Sequence, residues 1–287
     1  MLRIALPNKG RLSDGARDLF RDAGFDLRSA GDRALMATLG DDFDAIFVRS
    51  QDIPEFVADG AADAGVTGFD LVEESGRDLV ELLDLDFGRC RVIVATREES
   101  DVNGIGDIRG VPRVATVFPR ITELFFARTG RAIALVPVSG ATEIAPHLGI
   151  ADMIVDISST GSTLRLNGLR EIATVLDSSA RLVAAPASLD DAARRASLDE
   201  VVAALGSVVR ARGKRYLMAN VPRAALDRVK GILPGLNGPT VVDILNGGAM
   251  VAVHAVVDAA AIHRTIAQLT ACGGQGILVT RIERLTP

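Results

Sequence analysis

Short apolar runs typical of β-strands alternate with helical patterns through the first two-thirds of this chain. Such alternation is the sequence feature that most constrains the fold, because it is typical of α/β proteins with a mostly parallel sheet and helices on both faces. Ligands of such sheets bind beyond the carboxyl ends of the strands. The predicted strands are 3–6, 45–48, 64–67, 91–95, 114–116, 134–136 and 153–155, and the predicted helices are 12–23, 52–59, 120–129 and 142–148.

The last third of the chain has a different pattern. A long helical pattern within 188–212 ends at Gly213, and the order β-α-β-β-α-β follows, which predicts a ferredoxin-like domain with a boundary near residue 213. The residues Asn246-Gly247-Gly248 predict a hairpin turn between its central strands. The predicted strands are 214–220, 240–245, 250–256 and 276–284, and the predicted helices are 223–230 and 259–272.

Composition excludes several classes of protein. The chain has 287 residues, 4% aromatic side chains, no Trp and a net charge of −5, so neither a basic duplex-binding face nor a base-stacking surface is expected. No apolar run reaches the length of a membrane span, and the first predicted strand begins almost at once. Cys90 and Cys272 are too far apart in sequence for a metal motif. We therefore expect a cytoplasmic enzyme or sensor that binds neither nucleic acid nor membrane.

Residues 59–71 and 148–164 resemble each other. In each segment, a Gly ends a helical pattern and an Ala-Asp pair begins a short apolar strand. A Thr-Gly turn then leads into the next helical pattern. We interpret the two segments as equivalent parts of two similar lobes that face a shared cleft, although a chance match is an alternative.

The segment 152–164 holds the strongest candidate site. A buried strand ends at Asp156, and a loop rich in hydroxyl groups leads into the next helical pattern. Free amides at a helix start bind phosphate, and a nearby carboxylate accepts hydrogen bonds from sugar hydroxyls. An ordinary Ser/Thr helix cap is the alternative. The loop consists of Ser158, Ser159, Thr160, Gly161, Ser162 and Thr163.

Charged residues follow three other predicted strands. Lys9 and Arg11 come after the first strand, Arg49 ends the second, and Asp70 follows the third. The cations are suited to phosphate oxygens of a nucleotide, Lys as a point charge and Arg as a planar fork. Solvated turns are the alternative interpretation.

Two further residues are weaker candidates. Glu143 and Arg120 each lie near a predicted helix start after a strand, where either a ligand or the helix itself could be the partner. The three His residues share no metal-binding spacing, and no nucleophile, zinc or P-loop motif occurs.

Taken together, these stretches resemble the ATP phosphoribosyltransferase family in its long form. The resemblance covers essentially the whole chain and rests on LRIALPNKGRL (2–12), the run 47–76, VATVFPRIT (114–122), the run 139–169, KRYLMANVP (214–222) and PGLNGPTVVDI (234–244). It implies a bilobal, periplasmic-binding-protein-like catalytic core followed by a ferredoxin-like (ACT-like) regulatory domain. Lobe I would comprise 1–90 and 180–212, lobe II 91–179 and the regulatory domain 213–287.

The same resemblance implies an activity and its residues. ATP would attack phosphoribosyl pyrophosphate through adenine N1 with Mg²⁺, and pyrophosphate would leave; no metal ligand is assigned. The loop 158–163 would hold the sugar phosphate. Lys9, Arg49 and Asp156 would be catalytic, with Arg11, Asp70, Arg120 and Glu143 also binding substrate. Histidine would inhibit through Asn220, Thr240 and Gly276, and the protein would be a homo-oligomer, as dimer and hexamer.

Three alternatives stay open from the residues. The chain could be a non-catalytic bilobal protein that binds a small molecule or senses an effector. It could be a phosphoribosyltransferase for another base. Its C-terminal domain could serve assembly alone.

Overall fold

A computed structural model describes residues 2–29, 34–245 and 248–286. The chain forms two compact units, Met1–Val202 and Ala203–Pro287. The division falls inside a long helix, and the domain boundary near residue 213 stays a prediction.

The first sheet of the first unit has seven strands in the order β2-β3-β4-β1-β5-β12-β6. Only β4-β1-β5 is parallel, and the outer pairings are antiparallel. The strands are β1 (Leu2–Pro7), β2 (Leu27–Ser29), β3 (Met36–Leu39), β4 (Phe43–Val48), β5 (Ala64–Gly68), β6 (Val80–Asp84) and β12 (Ala180–Ala184).

The second sheet has five strands in the order β11-β7-β10-β8-β9. Here β10-β8-β9 is parallel, whereas β7 is antiparallel to both of its neighbours. The strands are β7 (Cys90–Arg97), β8 (Arg113–Thr116), β9 (Ala134–Pro137), β10 (Met153–Ser158) and β11 (Leu169–Ser178).

The prediction that the sheet is mostly parallel is therefore wrong. The unit has two mixed sheets, each with a parallel centre of three strands. Among the described residues no helix separates β2, β3 and β4, and only a crossover connection can make consecutive strands parallel. Strands β7, β11 and β12 lie where the chain passes from one sheet to the other and back, and all pair antiparallel.

Among the described residues, six α-helices lie within this unit and a seventh begins in it. The predicted helix 142–148 is wrong: only a 3-10 turn, Thr142–Ile144, forms there. Ala141 before it is left-handed, and Pro146 lacks the N–H that a continuing helix needs. The helices are α1 (Ser13–Asp22), α2 (Ile53–Ala58), α3 (Phe69–Ser75), α4 (Pro119–Arg128), α5 (Ser162–Leu166), α6 (Pro186–Asp190) and α7 (Ala192–Ala211).

The internal similarity of the sequence has a counterpart in the contacts. The Asp63 carboxylate accepts the backbone amide of Arg3 at 2.8 Å, and the Asp152 carboxylate accepts that of Arg113 at 2.8 Å. Each Arg also donates to a carbonyl at the turn before that Asp. The strands β1 and β5 of one sheet thus correspond to β8 and β10 of the other, and the two sheets belong to similar lobes.

The second unit contains a four-stranded antiparallel sheet in the order β14-β15-β13-β16. One face packs Leu217, Val253 and neighbouring aliphatic residues against two helices. Of the predicted hairpin turn, Asn246 and Gly247 lie outside the described residues. The elements are β13 (Lys214–Pro222), α8 (Leu226–Ile232), β14 (Thr240–Asp243), β15 (Met250–Asp258), α9 (Ile262–Ala271) and β16 (Gln275–Arg281).

The predicted class is confirmed: an α/β core of two lobes is followed by a ferredoxin-like βαββαβ domain. Over 2–29, 34–245 and 248–286, no helix combines the length and the apolar character that crossing a membrane requires.

Candidate active site

A cavity of about 710 Å³ lies between the two lobes of the first unit. Lys9 and Arg49 line it from the lobe of the seven-stranded sheet, and Phe118, Ser139 and Ile157 line it from the other lobe. Both sets of residues follow or end strands, so the cavity lies at the strand ends where α/β sheets bind ligands.

Strand register brings Lys9 and Arg49 to the same edge. Strands β1 and β4 are parallel with Pro7 opposite Val48, and the amide of Asn8 continues the ladder to the Val48 carbonyl at 2.8 Å. The residues that follow these strands therefore emerge side by side. This convergence is the arrangement that the sequence pattern predicts.

Neither Lys9 nor Arg49 forms an ion pair within the part of the chain that the structure describes. Glu55, which also lines the cavity, is instead paired with Arg77 outside it. Asp52 and Glu74 also line the cavity, but among the described residues neither forms an ion pair with Lys9 or Arg49. Two cations without an ion-pair partner favour an anionic ligand.

Arg11 and Asp70 lie elsewhere, at the point where the chain crosses between the lobes. The Arg11 guanidinium donates to the Gly88 carbonyl and lies 3.9 Å from the Asp70 carboxylate. Asp70 is 1% exposed, and its Oδ1 accepts the Ser178 hydroxyl at 2.5 Å. The other oxygen of Asp70 has no hydrogen-bond partner among the described residues. These residues fasten the crossover segments, and substrate contact by Arg11 or Asp70 stays a prediction.

Cys90 belongs to the same crossover cluster. Burial, together with the negative charge of Asp70, raises the pKa of its thiol. A protonated thiol is a poor nucleophile, so Cys90 has a packing role in this position.

Asp156 lies inside β10, near Glu143 of the 3-10 turn Thr142–Ile144. Burial raises the pKa of Asp156. The hydrogen bond from the Ile157 amide, at 2.7 Å, and the nearby Thr142 hydroxyl lower this pKa, and the charge of Glu143 raises it slightly. Removing water from a carboxylate beside a second one costs free energy that a cation or a hydroxyl donor would offset.

The loop 158–163 is held by its own hydrogen bonds. The Gly161 amide donates to the buried Ser158 hydroxyl at 3.1 Å, and the hydroxyls of Thr160 and Ser162 are 2.8 Å apart. Gly161 has φ +72°, which a residue with a Cβ adopts only with strain. Ser159 and Thr163 are exposed, so their hydroxyls are available to a ligand.

Arg120 does not line the cavity. It lies at the start of α4, where its guanidinium packs against Gly76. Its backbone amide and that of Ile121 donate to the two carboxylate oxygens of Glu74. Arg120 is therefore not placed to contact a ligand in this cavity, and substrate binding by Arg120 stays a prediction.

The described residues contain no group of three His, Cys, Asp or Glu side chains that could hold a metal ion. Glu143 and Asp156 alone do not amount to a metal cage. This donor set does not fit a metal ion held by the protein itself.

Two of the three predicted effector residues are neighbours in the second unit. Asn220 lies opposite Gln275 across β13 and β16, and its Nδ2 would be 3.5 Å from a Cβ added at Gly276. Thr240 lies on the opposite edge strand, facing His254.

Three residues near the site escape sequence reasoning. Glu74 caps a helix 46 residues away, and Ser178 bonds to a carboxylate 108 residues away, so no local pattern marks either one. Ala141 has φ +49°, an uncommon left-handed conformation for a residue with a Cβ, directly before the turn that carries Glu143. The succession Ser-Gly-Ala-Thr-Glu is its only local signal.

Comparison with known proteins identifies the relatives of this chain. Residues 49–207 match a family model described as HisG, ATP phosphoribosyltransferase, and residues 211–284 match one described as HisG, C-terminal domain. An ATP phosphoribosyltransferase of Gemmatimonas aurantiaca is 65% identical over the full length of both chains. One from Haloarcula marismortui is 51% identical, covering 99% of each chain.

A solved structure shares the fold of the core. It comes from the ATP phosphoribosyl transferase (HisG:HisZ) complex of Thermotoga maritima, and it matches with a TM-score of 0.64 and 28% identity. The match covers 73% of this chain and 99% of the other.

Proposed function

The chain belongs to the ATP phosphoribosyltransferase family, and from this we propose that it transfers phosphoribose from phosphoribosyl pyrophosphate to N1 of ATP. The observation that carries the proposal is the pair of cations, Lys9 and Arg49, in a cavity that Ile157 lines from the other lobe. Ile157 directly precedes the hydroxyl-rich loop 158–163, whose own residues are not among those lining the cavity. Relatives named for this activity make the chain a pentosyltransferase.

The reaction is a displacement at the anomeric carbon. The lone pair of adenine N1 forms the new bond to C1 while pyrophosphate leaves with the electrons of the C1–O bond. Such a transition state has oxocarbenium character, so geometry and charge stabilisation matter more than a nucleophilic side chain. The chain accordingly shows no nucleophile motif, and we assign no general base.

We assign the phosphoribosyl group to the lobe of the five-stranded sheet. The loop 158–163 is ordered by its own hydrogen bonds, which lowers the entropic cost of holding a phosphate. Asp156 and Glu143 would accept hydrogen bonds from the ribose hydroxyls. The desolvated carboxylate of Asp156 would also favour positive charge developing at C1.

We assign the nucleotide to the facing lobe. Lys9 and Arg49 would contact polyphosphate oxygens, and Arg49 offers the planar fork that binds them in pairs. Mg²⁺ would enter with the polyphosphate substrates, as their counter-ion, because the described residues offer no metal cage.

An absorbance assay tests the transfer. We expect ATP, phosphoribosyl pyrophosphate and Mg²⁺ to give a rise in near-ultraviolet absorbance as the N1-substituted adenine forms. Lys9→Met should lower kcat/KM by about tenfold to a hundredfold, because a charge-assisted hydrogen bond is lost. Lys230→Met removes the same charge from an exposed side chain of α8 in the second unit and should leave the rate unchanged. Equal rates for both variants would contradict the role of Lys9, and absence of product with the parent protein would contradict the transfer itself.

For the second unit we propose feedback inhibition by histidine at Asn220 and Gly276; Thr240, which the family resemblance also implies, lies on the opposite edge strand. The adjacency of Asn220 and Gly276 across the edge of the sheet supports a small-ligand site there. Histidine should lower the transfer rate, and Asn220→Ala should reduce this sensitivity. A rate independent of histidine would leave the domain an assembly role, within the homo-oligomer, a dimer or hexamer, that the family resemblance implies.

A further inference from the structure

Helix α3 belongs to one lobe by sequence order but is attached to both. It follows β5 of the seven-stranded sheet directly, and its first amide donates to the Ser179 carbonyl at 3.0 Å. Leu71 packs against the apolar cluster of the other lobe that contains Phe118. The helix therefore spans the gap between the lobes and forms part of the cavity wall.

The end of α3 is fastened to the start of α4. The Glu74 carboxylate accepts the amides of Arg120 at 3.0 Å and Ile121 at 2.9 Å. Pro119, the first residue of α4, has no amide hydrogen, and the Thr122 amide already donates to Phe118. One carboxylate thus satisfies every remaining free amide of the first turn of α4.

Charge and shape reinforce this contact. The amino end of a helix carries a partial positive charge that favours a carboxylate. Gly76 ends α3 with φ +61°, and a Cβ there would lie 2.6 Å from the Arg120 guanidinium carbon. The absence of a side chain at Gly76 leaves room for Arg120 to close over the contact.

We propose that Glu74 is a positioning residue whose carboxylate, by capping α4 across the cleft, holds the two lobes at a fixed separation. The cavity is lined by Glu74 itself, by Lys9 and Arg49 on one side and by Phe118 on the other, so this separation sets its width. Under the proposed function it also sets the span from the two cations to the loop 158–163. The holding of the lobes does not depend on that function.

Loss of the contact has a defined thermodynamic consequence. If the lobes can separate, part of the substrate binding energy is used to close them. The apparent Kd then equals the Kd of the closed form divided by the fraction of molecules that are closed. A residue that holds the lobes therefore affects KM for both substrates more than kcat.

The test measures the separation directly and needs no catalysis. Nitroxide labels on Asp22→Cys and Asp101→Cys, both exposed and one in each lobe, report their distance by double electron–electron resonance. Cys272→Ser removes the half-buried thiol, buried Cys90 stays, and excess unlabelled chain isolates distances within one molecule. The variants are Glu74→Ala and the near-isosteric Glu74→Gln. The control is Glu73→Gln, an adjacent exposed residue of the same helix.

We expect one narrow distance for the parent and for Glu73→Gln. Glu74→Ala should add a longer-distance population, with the ratio of closed to open molecules falling about tenfold. Glu74→Gln, which retains one acceptor oxygen, should lie between them. If Glu74→Gln is folded by circular dichroism and both variants keep the narrow distance, Glu74 is only a local cap and the proposal is overturned.

In the transfer assay Glu74→Gln should raise KM for both substrates at nearly constant kcat, whereas a lower melting temperature with unchanged KM would contradict the positioning role.

Discussion

At the scale of single residues, some charged side chains that follow strands line the cavity, whereas another is buried inside the protein. Lys9 and Arg49 follow parallel neighbouring strands, so their convergence could be predicted from the sequence once those strands were recognised. Asp70 also follows a strand of that sheet, but its side chain turns into the protein to meet Ser178. A pattern of strand ends indicates where side chains emerge but not which of them find a partner inside the protein.

Asp156 gives the first prediction at this scale. Its folded-state pKa is raised, so the folded protein holds a proton that the unfolded chain releases over the interval between the two pKa values. Stability should therefore fall as pH rises through that interval and remain lower above it. Asp156→Asn removes the free-energy cost of burying a charged carboxylate and keeps an acceptor oxygen for the Ile157 amide. We expect a higher melting temperature at neutral pH and a transfer rate lowered by at least about tenfold.

Calorimetry from pH 4 to pH 8 checks this prediction. The stability difference between Asp156→Asn and the parent should grow toward high pH. A difference that is constant with pH, or a variant less stable than the parent at neutral pH, would mean that Asp156 carries no desolvation cost.

At the scale of elements, sequence periodicity located the strands at the centres of both sheets and missed most edge and crossover strands. Strand β2 has only three residues, and β11 alternates poorly because bulges interrupt its pairing with β7. The failed helix at 142–148 has an equally local cause, since Pro146 and left-handed Ala141 outweigh the apolar spacing. The cap of α4 by Glu74 depends on contacts between lobes, which no short window contains.

The loop 158–163 gives the prediction at this scale. Gly161→Val should raise KM for phosphoribosyl pyrophosphate by at least about tenfold, because a branched side chain at φ +72° strains the loop and displaces its amides. Gly130→Val is the matched control: Gly130 ends α4 with φ +66° and has open space around it. It suffers similar backbone strain away from the loop. Similar KM values for both variants would mean that the loop is an ordinary helix cap.

At the scale of the whole molecule, the chain combines two similar lobes, a cavity between them and a separate ferredoxin-like unit. The repeated Arg–Asp contacts show that the resemblance between residues 59–71 and 148–164 reflects equivalent positions in the two lobes. The choice of substrates came from the family resemblance, because uncompensated cations and a hydroxyl-rich loop specify a phosphate but not which one. Lobe limits at 90, 179 and 212 stay predictions.

The central claim is that the cavity joins phosphoribose to N1 of ATP, and nuclear magnetic resonance can observe that bond. Incubation of the protein with ¹⁵N1-labelled ATP, phosphoribosyl pyrophosphate labelled with ¹³C at C1, and Mg²⁺ should give a product with one-bond carbon–nitrogen coupling between the two labels. Transfer of the labelled carbon without this coupling would show attack through another atom. Unchanged substrates with a folded protein would contradict the account as a whole.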